Sequence, residues 1–178
     1  MKKLGQFSDI HSHNRSAALR SDTVVNISPG DEMLPDGYYS VGIHPWESDK
    51  TLTLTTLKSL VAMVQDKRVV AVGECGFDRL RGADIERQRA IFDFHARLAQ
   101  RYDKPLIIHA VRSNDELVAA IRRHSPTVEW IIHGFRGKPE LARQLLREGF
   151  SLSIGKKFNA ELLSVIPAER LYRETDES

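Results

Sequence analysis

The 178-residue sequence contains a single cysteine, which rules out an internal disulfide and with it the stapled scaffolds of small secreted domains. No apolar run approaches the ~20 residues of a membrane-spanning helix. The opening MKKLGQFSDIHSHN has a short basic head but neither an apolar h-region nor a cleavage site. No signal peptide is therefore expected, and the lone cysteine fits a cytoplasmic protein without membrane attachment. Eleven glycines and seven prolines, without period, exclude a collagen-like chain. Charge of one sign is also scarce: the net charge of +2 does not announce a nucleic-acid partner by itself. What is present is a 41% hydrophobic content, enough for one real core. There is no internal repeat or linker, so residues 1–178 read as a single domain.

Short β-rich runs alternate with helical patterns. Strands are expected at residues 7–13, 23–28, 38–44, 69–77, 105–111, 129–135, 150–154 and, more weakly, 171–176. Apolar residues three and four apart predict amphipathic helices at 52–66, 84–102, 114–124 and 139–148, with a shorter one at 160–165. This alternation implies parallel strands with helices outside, and eight strands suggest a (β/α)8 barrel. The chain is short of the ~250 residues typical of that fold. The deficit falls at 14–22 and 29–37, where no full helix fits, and after the last strand. A reduced barrel is the expectation, and its uncovered face offers a surface for a second copy of the chain.

The seven histidines carry most of the functional information. Asp9, His11 and His13 alternate in FSDIHSH, and period-two geometry puts them on one strand face. A His-x-His pair can present two imidazoles to one zinc, manganese or iron ion. Glu74 follows the apolar run VVAVG between Gly73 and Gly76, where a carboxylate is costly to bury unpaired. The runs PLIIHAV and EWIIHGF each end in a histidine, His109 and His133, at matching positions. In parallel barrels functional residues gather at the C-terminal strand ends, and all five of these fall there.

The segments DIHSHN, VGIHPWE, AVGECGFDR, QRAIFDFHARLAQRYDKPLIIHAVRS, IIHGFRG and the final RETD, taken in that order, resemble the TatD family of metal-dependent hydrolases. The likeness runs from Phe7 to Asp176. It implies a barrel holding one or two divalent metals (magnesium, manganese or zinc) and hydrolysing phosphodiester bonds of DNA, often as a 3′-to-5′ exonuclease. By resemblance, His11, His13 and Asp176 are ligands of one metal, His109 and His133 of a second, and Glu74 bridges the two. Asp176 would also accept a proton from the attacking water. Nitrogen-rich ligation suits zinc or manganese, whereas magnesium prefers oxygen and would be held loosely. Family members have longer first and second helical connections and a helix beyond the last Asp; here Asp176 is followed by Glu177 and Ser178.

Other residues complete the expected site. Basic side chains collect after the strands, and Arg112 and Arg136, each three residues beyond a strand-end histidine, are the candidate phosphate contacts. His44 reads as a phosphate contact or a support for the ligands, and Asp78 as a group that orients a ligand or the substrate. Trp46 offers a face to an unpaired base, or packs within its loop. His95 lies on the apolar face of its helix and reads as a core histidine. Two alternatives remain: an amidohydrolase acting on a C–N or ester bond of a small molecule, and a non-catalytic metal-binding protein. The first would favour a carbamylated lysine as bridge, a place that Glu74 takes.

Overall fold

Every apolar run expected to be a strand forms one. In the computed structural model of the chain, which describes residues 2–176, the strands are β1 (Asp9–Ser12), β2 (Thr23–Ile27), β3 (Tyr38–Val41), β4 (Val69–Asp78), β5 (Leu106–Val111), β6 (Trp130–Ile132), β7 (Ser151–Ile154) and β8 (Leu171–Arg173). They form one sheet in chain order, each parallel to the next. The helices are α1 (Leu54–Gln65), α2 (Ile85–Arg101), α3 (Asn114–His124) and α4 (Pro139–Glu148). None among the described residues is long and apolar enough to cross a membrane.

The reduction of the barrel falls where the sequence is short. β1 and β2 are joined by a 3₁₀ segment, Arg15–Leu19, and β2 and β3 by a loop without a helix. The short helix expected at 160–165 is a 3₁₀ turn, Ala160–Ser164, capped by Asn159, whose side chain accepts from Glu161 N at 3.0 Å. Pro167 follows too soon for an α-helix to propagate.

Two apolar clusters separate outside from inside. The larger packs α1–α4 against the strands and holds Leu60, Phe92, Leu117 and Leu145 with Phe77 and Trp130. Each such side chain, once buried, contributes ~2 kcal/mol of transfer free energy. The smaller cluster includes Leu4, Phe7, Ile10, Val70, Ile107 and Ile131. Ile107 and Ile131 precede His109 and His133 by two residues and so share their strand face, which makes this cluster the floor beneath the histidines. Closure between β8 and β1 is made by polar bonds: Thr175 N and Oγ1 donate to the Asp9 carboxylate at 3.1 and 2.7 Å, and Asp176 N donates to His11 O at 3.0 Å. Asp9 thus shares β1 with His11, with His13 just beyond it, but its carboxylate serves closure.

His95 is a buried core histidine, as expected, with both ring nitrogens engaged. Nδ1–H donates to Ile91 O at 2.8 Å, and Nε2 accepts from Ile43 N at 2.9 Å, which fixes the chain just before His44. Burial pushes its pKa from 6.5 down to about 4. As pH falls from 6.5 towards 4, the unfolded chain takes up a proton that the native state refuses, so stability is lost over that window. The loss is on the order of 3 kcal/mol at its limit. A His95→Gln chain keeps an acceptor for Ile43 N without a titrating ring. Denaturant unfolding should show a shallower acid limb for this variant between pH 6.5 and 4 than for wild type, and parallel limbs would contradict the assignment.

Candidate metal centre

Glu74 reaches the barrel interior because β4 bends around it. The β4–β5 register shifts between Val72 and Cys75, and Gly73 and Gly76 both take positive φ, 127° and 151°. A Cβ on Gly73 would come within 2.3 Å of Ile107 O, and one on Gly76 within 2.0 Å of His109 O. Only glycine allows β4 to approach β5 so closely on both sides of the glutamate. From β2, Asn26 Oδ1 accepts the Glu74 N–H at 2.7 Å and the Ser40 hydroxyl at 3.1 Å.

Imidazoles surround the carboxylate, which is 1% exposed. His133 Nε2, His109 Nδ1 and His44 Nε2 lie 2.7, 2.8 and 3.0 Å from Oε1. His11 Nε2 and His13 Nε2 each lie 3.2 Å from Oε2 and 3.2 Å from one another. Asp176 Oδ1 stands 3.8 Å from both of these nitrogens. Asp176 takes a positive φ of 47°, a turn that aspartate tolerates better than most residues. All six residues expected as ligands are therefore brought together.

Electrostatics follow from this crowding. Burial opposes ionisation of Glu74, but the imidazoles, His133 foremost, hold it well below the usual carboxylate range. Burial pushes His11 down, aided by the charge of His133. His13, beside the Glu74 carboxylate, is raised. Burial of His133 is outweighed by Glu74 and Glu174, which raise it well above its ordinary value.

A divalent cation suits this donor set. Glu74 Oε2 and His11 Nδ1 are buried without a hydrogen-bond partner among the described residues. His11 and His13 point the same nitrogen at one oxygen, an arrangement that suits lone pairs around a cation better than competing hydrogen bonds. Two sets of side chains flank the carboxylate: His11 and His13, with Asp176 nearby, on the Oε2 side, and His44, His109 and His133 on the Oε1 side.

Hydrogen bonds behind the imidazoles decide which nitrogen faces inward. Asp78 Oδ2 accepts from His109 Nε2 at 3.1 Å, leaving Nδ1 for the centre. Asp78 is 3% exposed, so it orients His109 and is not open to substrate. Asp78 also accepts from Trp46 Nε1 at 2.6 Å and Leu80 N at 2.8 Å. His44 Nδ1 accepts from Trp46 N at 3.1 Å, which turns Nε2 toward Glu74 Oε1. Glu174, not anticipated from sequence, has a fully buried side chain with Oε1 3.4 Å from His133 Nδ1. It does for His133 what Asp78 does for His109.

Arg112 and Arg136 are exposed, follow β5 and β6, and make no ion pair among the described residues. Neither lines the cavity of about 720 Å³ above the centre, whose wall includes Arg15, Asn26, His44, Trp46 and Lys50. Both stand on the outer rim of the same barrel mouth.

If Glu174 orients His133, Glu174→Ala should weaken zinc binding about 10- to 100-fold in a chelator competition. Glu174→Gln keeps an acceptor oxygen and should lose less. Equal affinities in all three proteins would remove Glu174 from the support of the centre.

Comparison with known proteins identifies the family and supports the fold. Residues 15–177 match the family model described as TatD related DNase; the match begins just after the His11–His13 pair. The chain is 31% identical over 150 residues to the Escherichia coli protein called "Uncharacterized metal-dependent hydrolase YjjV", covering 78% of this chain and 57% of that one. It is 31% identical over 148 residues to a Pantoea protein called "3'-5' ssDNA/RNA exonuclease TatD", covering 77% and 56%. The chain thus spans a little over half the length of these relatives. The crystal structure of E. coli YjjV, a TatD homologue, superposes with a TM-score of 0.77 at 26% identity, over 97% of this chain and 80% of that one. The chain belongs to the TatD-related family of metal-dependent hydrolases.

Proposed function

We propose that this chain hydrolyses phosphodiester bonds of DNA, removing nucleotides from a 3′ end. The observation that carries the reading is the buried Glu74 carboxylate, faced on both oxygens by imidazoles at the mouth of the barrel. His11, His13 and Asp176 would hold one divalent cation and His109 and His133 a second, with Glu74 shared. Bound there, such cations polarise a phosphoryl oxygen and make a water molecule more acidic.

The remaining work belongs to the chain's own side chains. His44 Nε2, 3.0 Å from Glu74 Oε1, would donate to a phosphate oxygen. Asp176, with a side chain 33% exposed at the mouth, is the carboxylate open to take the proton of an attacking water. Arg112 and Arg136 would neutralise flanking phosphates. Manganese or zinc suits the nitrogen-rich donors, and magnesium would be held more weakly. The buried lone Cys75 is compatible with a reducing cytoplasm. RNA is a second substrate to test, because the Pantoea relative's name includes it.

Metal-reconstituted protein should shorten 5′-labelled single-stranded DNA stepwise and leave a panel of amides and lactones intact. Replacing both Arg112 and Arg136 with Ala should weaken DNA binding and reduce the slope of log affinity against log salt by about one to two. Turnover of an amide or lactone in place of DNA would favour the amidohydrolase alternative. An unchanged slope would leave the arginines as ordinary solvated rim.

A further inference from the structure

The turn that carries Trp46 is more firmly held than its exposure requires. Trp46 is 46% exposed on the cavity wall, within the 3₁₀ turn Pro45–Glu47. Its indole N–H is fixed by Asp78 and its backbone N–H by His44. Ser48, fully buried, donates its hydroxyl to Pro45 O at 2.5 Å and accepts from Ala83 N at 2.8 Å. Arg87 reaches over from α2 to Ser48 O and to Lys50 O. Gly82, at a φ of 84°, lets the loop after β4 pass so close that a Cβ would meet Pro45 O at 2.1 Å. Gln88, 2% exposed, secures that loop by donating to Asp78 O, Arg81 O and Ala83 O at 2.8–3.1 Å.

All of this holds a large aromatic side chain half in solvent. Its edge-on neighbours are His44 and His109, with ring centroids 4.7 and 5.9 Å away. The Arg81 guanidinium lies over the indole, 4.3 Å from its centroid. Arg81 is exposed and, unlike Arg79, which pairs with Asp115 and Glu116, has no ion-pair partner among the described residues. A rigid indole and a planar cation, one imidazole away from the metal centre, form a platform for a flat π-system that has an anion beside it.

We propose that Trp46 and Arg81 seat the nucleobase of the nucleotide whose phosphate lies against the Glu74 centre. This rests on the phosphodiesterase reading and adds to it a subsite that senses the base without reading its identity. Stacking is sequence-tolerant because every base has a π-face. The indole N–H is already given to Asp78, so Trp46 presents the base with a face and no free donor or acceptor.

Thymidine 5′-monophosphate and deoxyribose 5-phosphate, titrated into zinc-loaded protein, isolate the base. In wild type the nucleotide should bind about tenfold more tightly than the sugar phosphate. It should also quench indole emission, since the other tryptophan, Trp130, is 1% exposed and out of reach. Trp46→Ala should bring the ratio close to one, because loss of the N–H to Asp78 falls on both probes alike and loss of the ring falls on the nucleotide alone. Trp46→Phe, which keeps a ring but loses the N–H to Asp78, should retain most of the preference. Equal binding of the two probes by wild type, or an unchanged ratio in Trp46→Ala, would overturn the subsite. So would equal losses for both probes in both variants, because the tryptophan would then act through Asp78 alone. Base preference in a wild type that cleaves no DNA would refute the nuclease reading and keep the subsite. Cleavage with base-blind binding would do the reverse.

Discussion

A carboxylate buried inside a parallel barrel is the constraint on which the rest of this structure depends. Unpaired, Glu74 would carry a penalty of several kcal/mol. Its charge is tolerable because imidazoles from β1 and β5, and from the segments just past β1, β3 and β6, face its two oxygens. Those imidazoles are in turn fixed from behind by Asp78, Glu174 and the Trp46 amide. The outer groups determine the presented nitrogen, which differs between His109 and His133. Glycines on either side of Glu74, the amide of Asn26 and the polar closure through Asp9 all serve the same placement.

The fold separates stability from chemistry along the barrel axis. Aliphatic side chains form the floor, helices cover the strands from β4 onward, and polar groups occupy the mouth. The connections lacking helices join β1 to β2 and β2 to β3, and 3₁₀ turns serve between β7 and β8. These strands still deliver His11, His13 and Asn26 because strand pairing fixes position whether or not a helix follows. A barrel can therefore lose outer connections and keep its mouth, provided that β8 is tied to β1. Thr175 and Asp176 make that tie.

Much of this was legible in the sequence. Continuous apolar runs mark the buried strands, and the matching positions of His109 and His133 place them on one rim. Helix ends carry cap residues, Asp84 before α2 and Gly149 after α4. Glu174 was not legible. The chain leaves regular pairing after Arg173, so alternation no longer predicts that Glu174 faces inward with Asp176, as it does. Asn26 was a polar interruption in an apolar strand whose meaning depended on β4 lying two strands away. Spacing placed Arg112 and Arg136 on the rim, but side-chain direction beyond a strand end is set by the loop, and neither turns into the cavity. The orientation of His44 follows from a local turn whose hydrogen bond sequence does not reveal.

The most direct test of the central role of Glu74 is calorimetric titration of metal-stripped protein with manganese, comparing wild type with Glu74→Gln. The amide nearly conserves shape and removes the charge shared by both sides of the site. Two ions per chain in wild type, with both affinities collapsing in a Glu74→Gln protein that still melts cooperatively, is the expected result. Undiminished binding of manganese by Glu74→Gln would contradict the placing of this carboxylate at the heart of the centre.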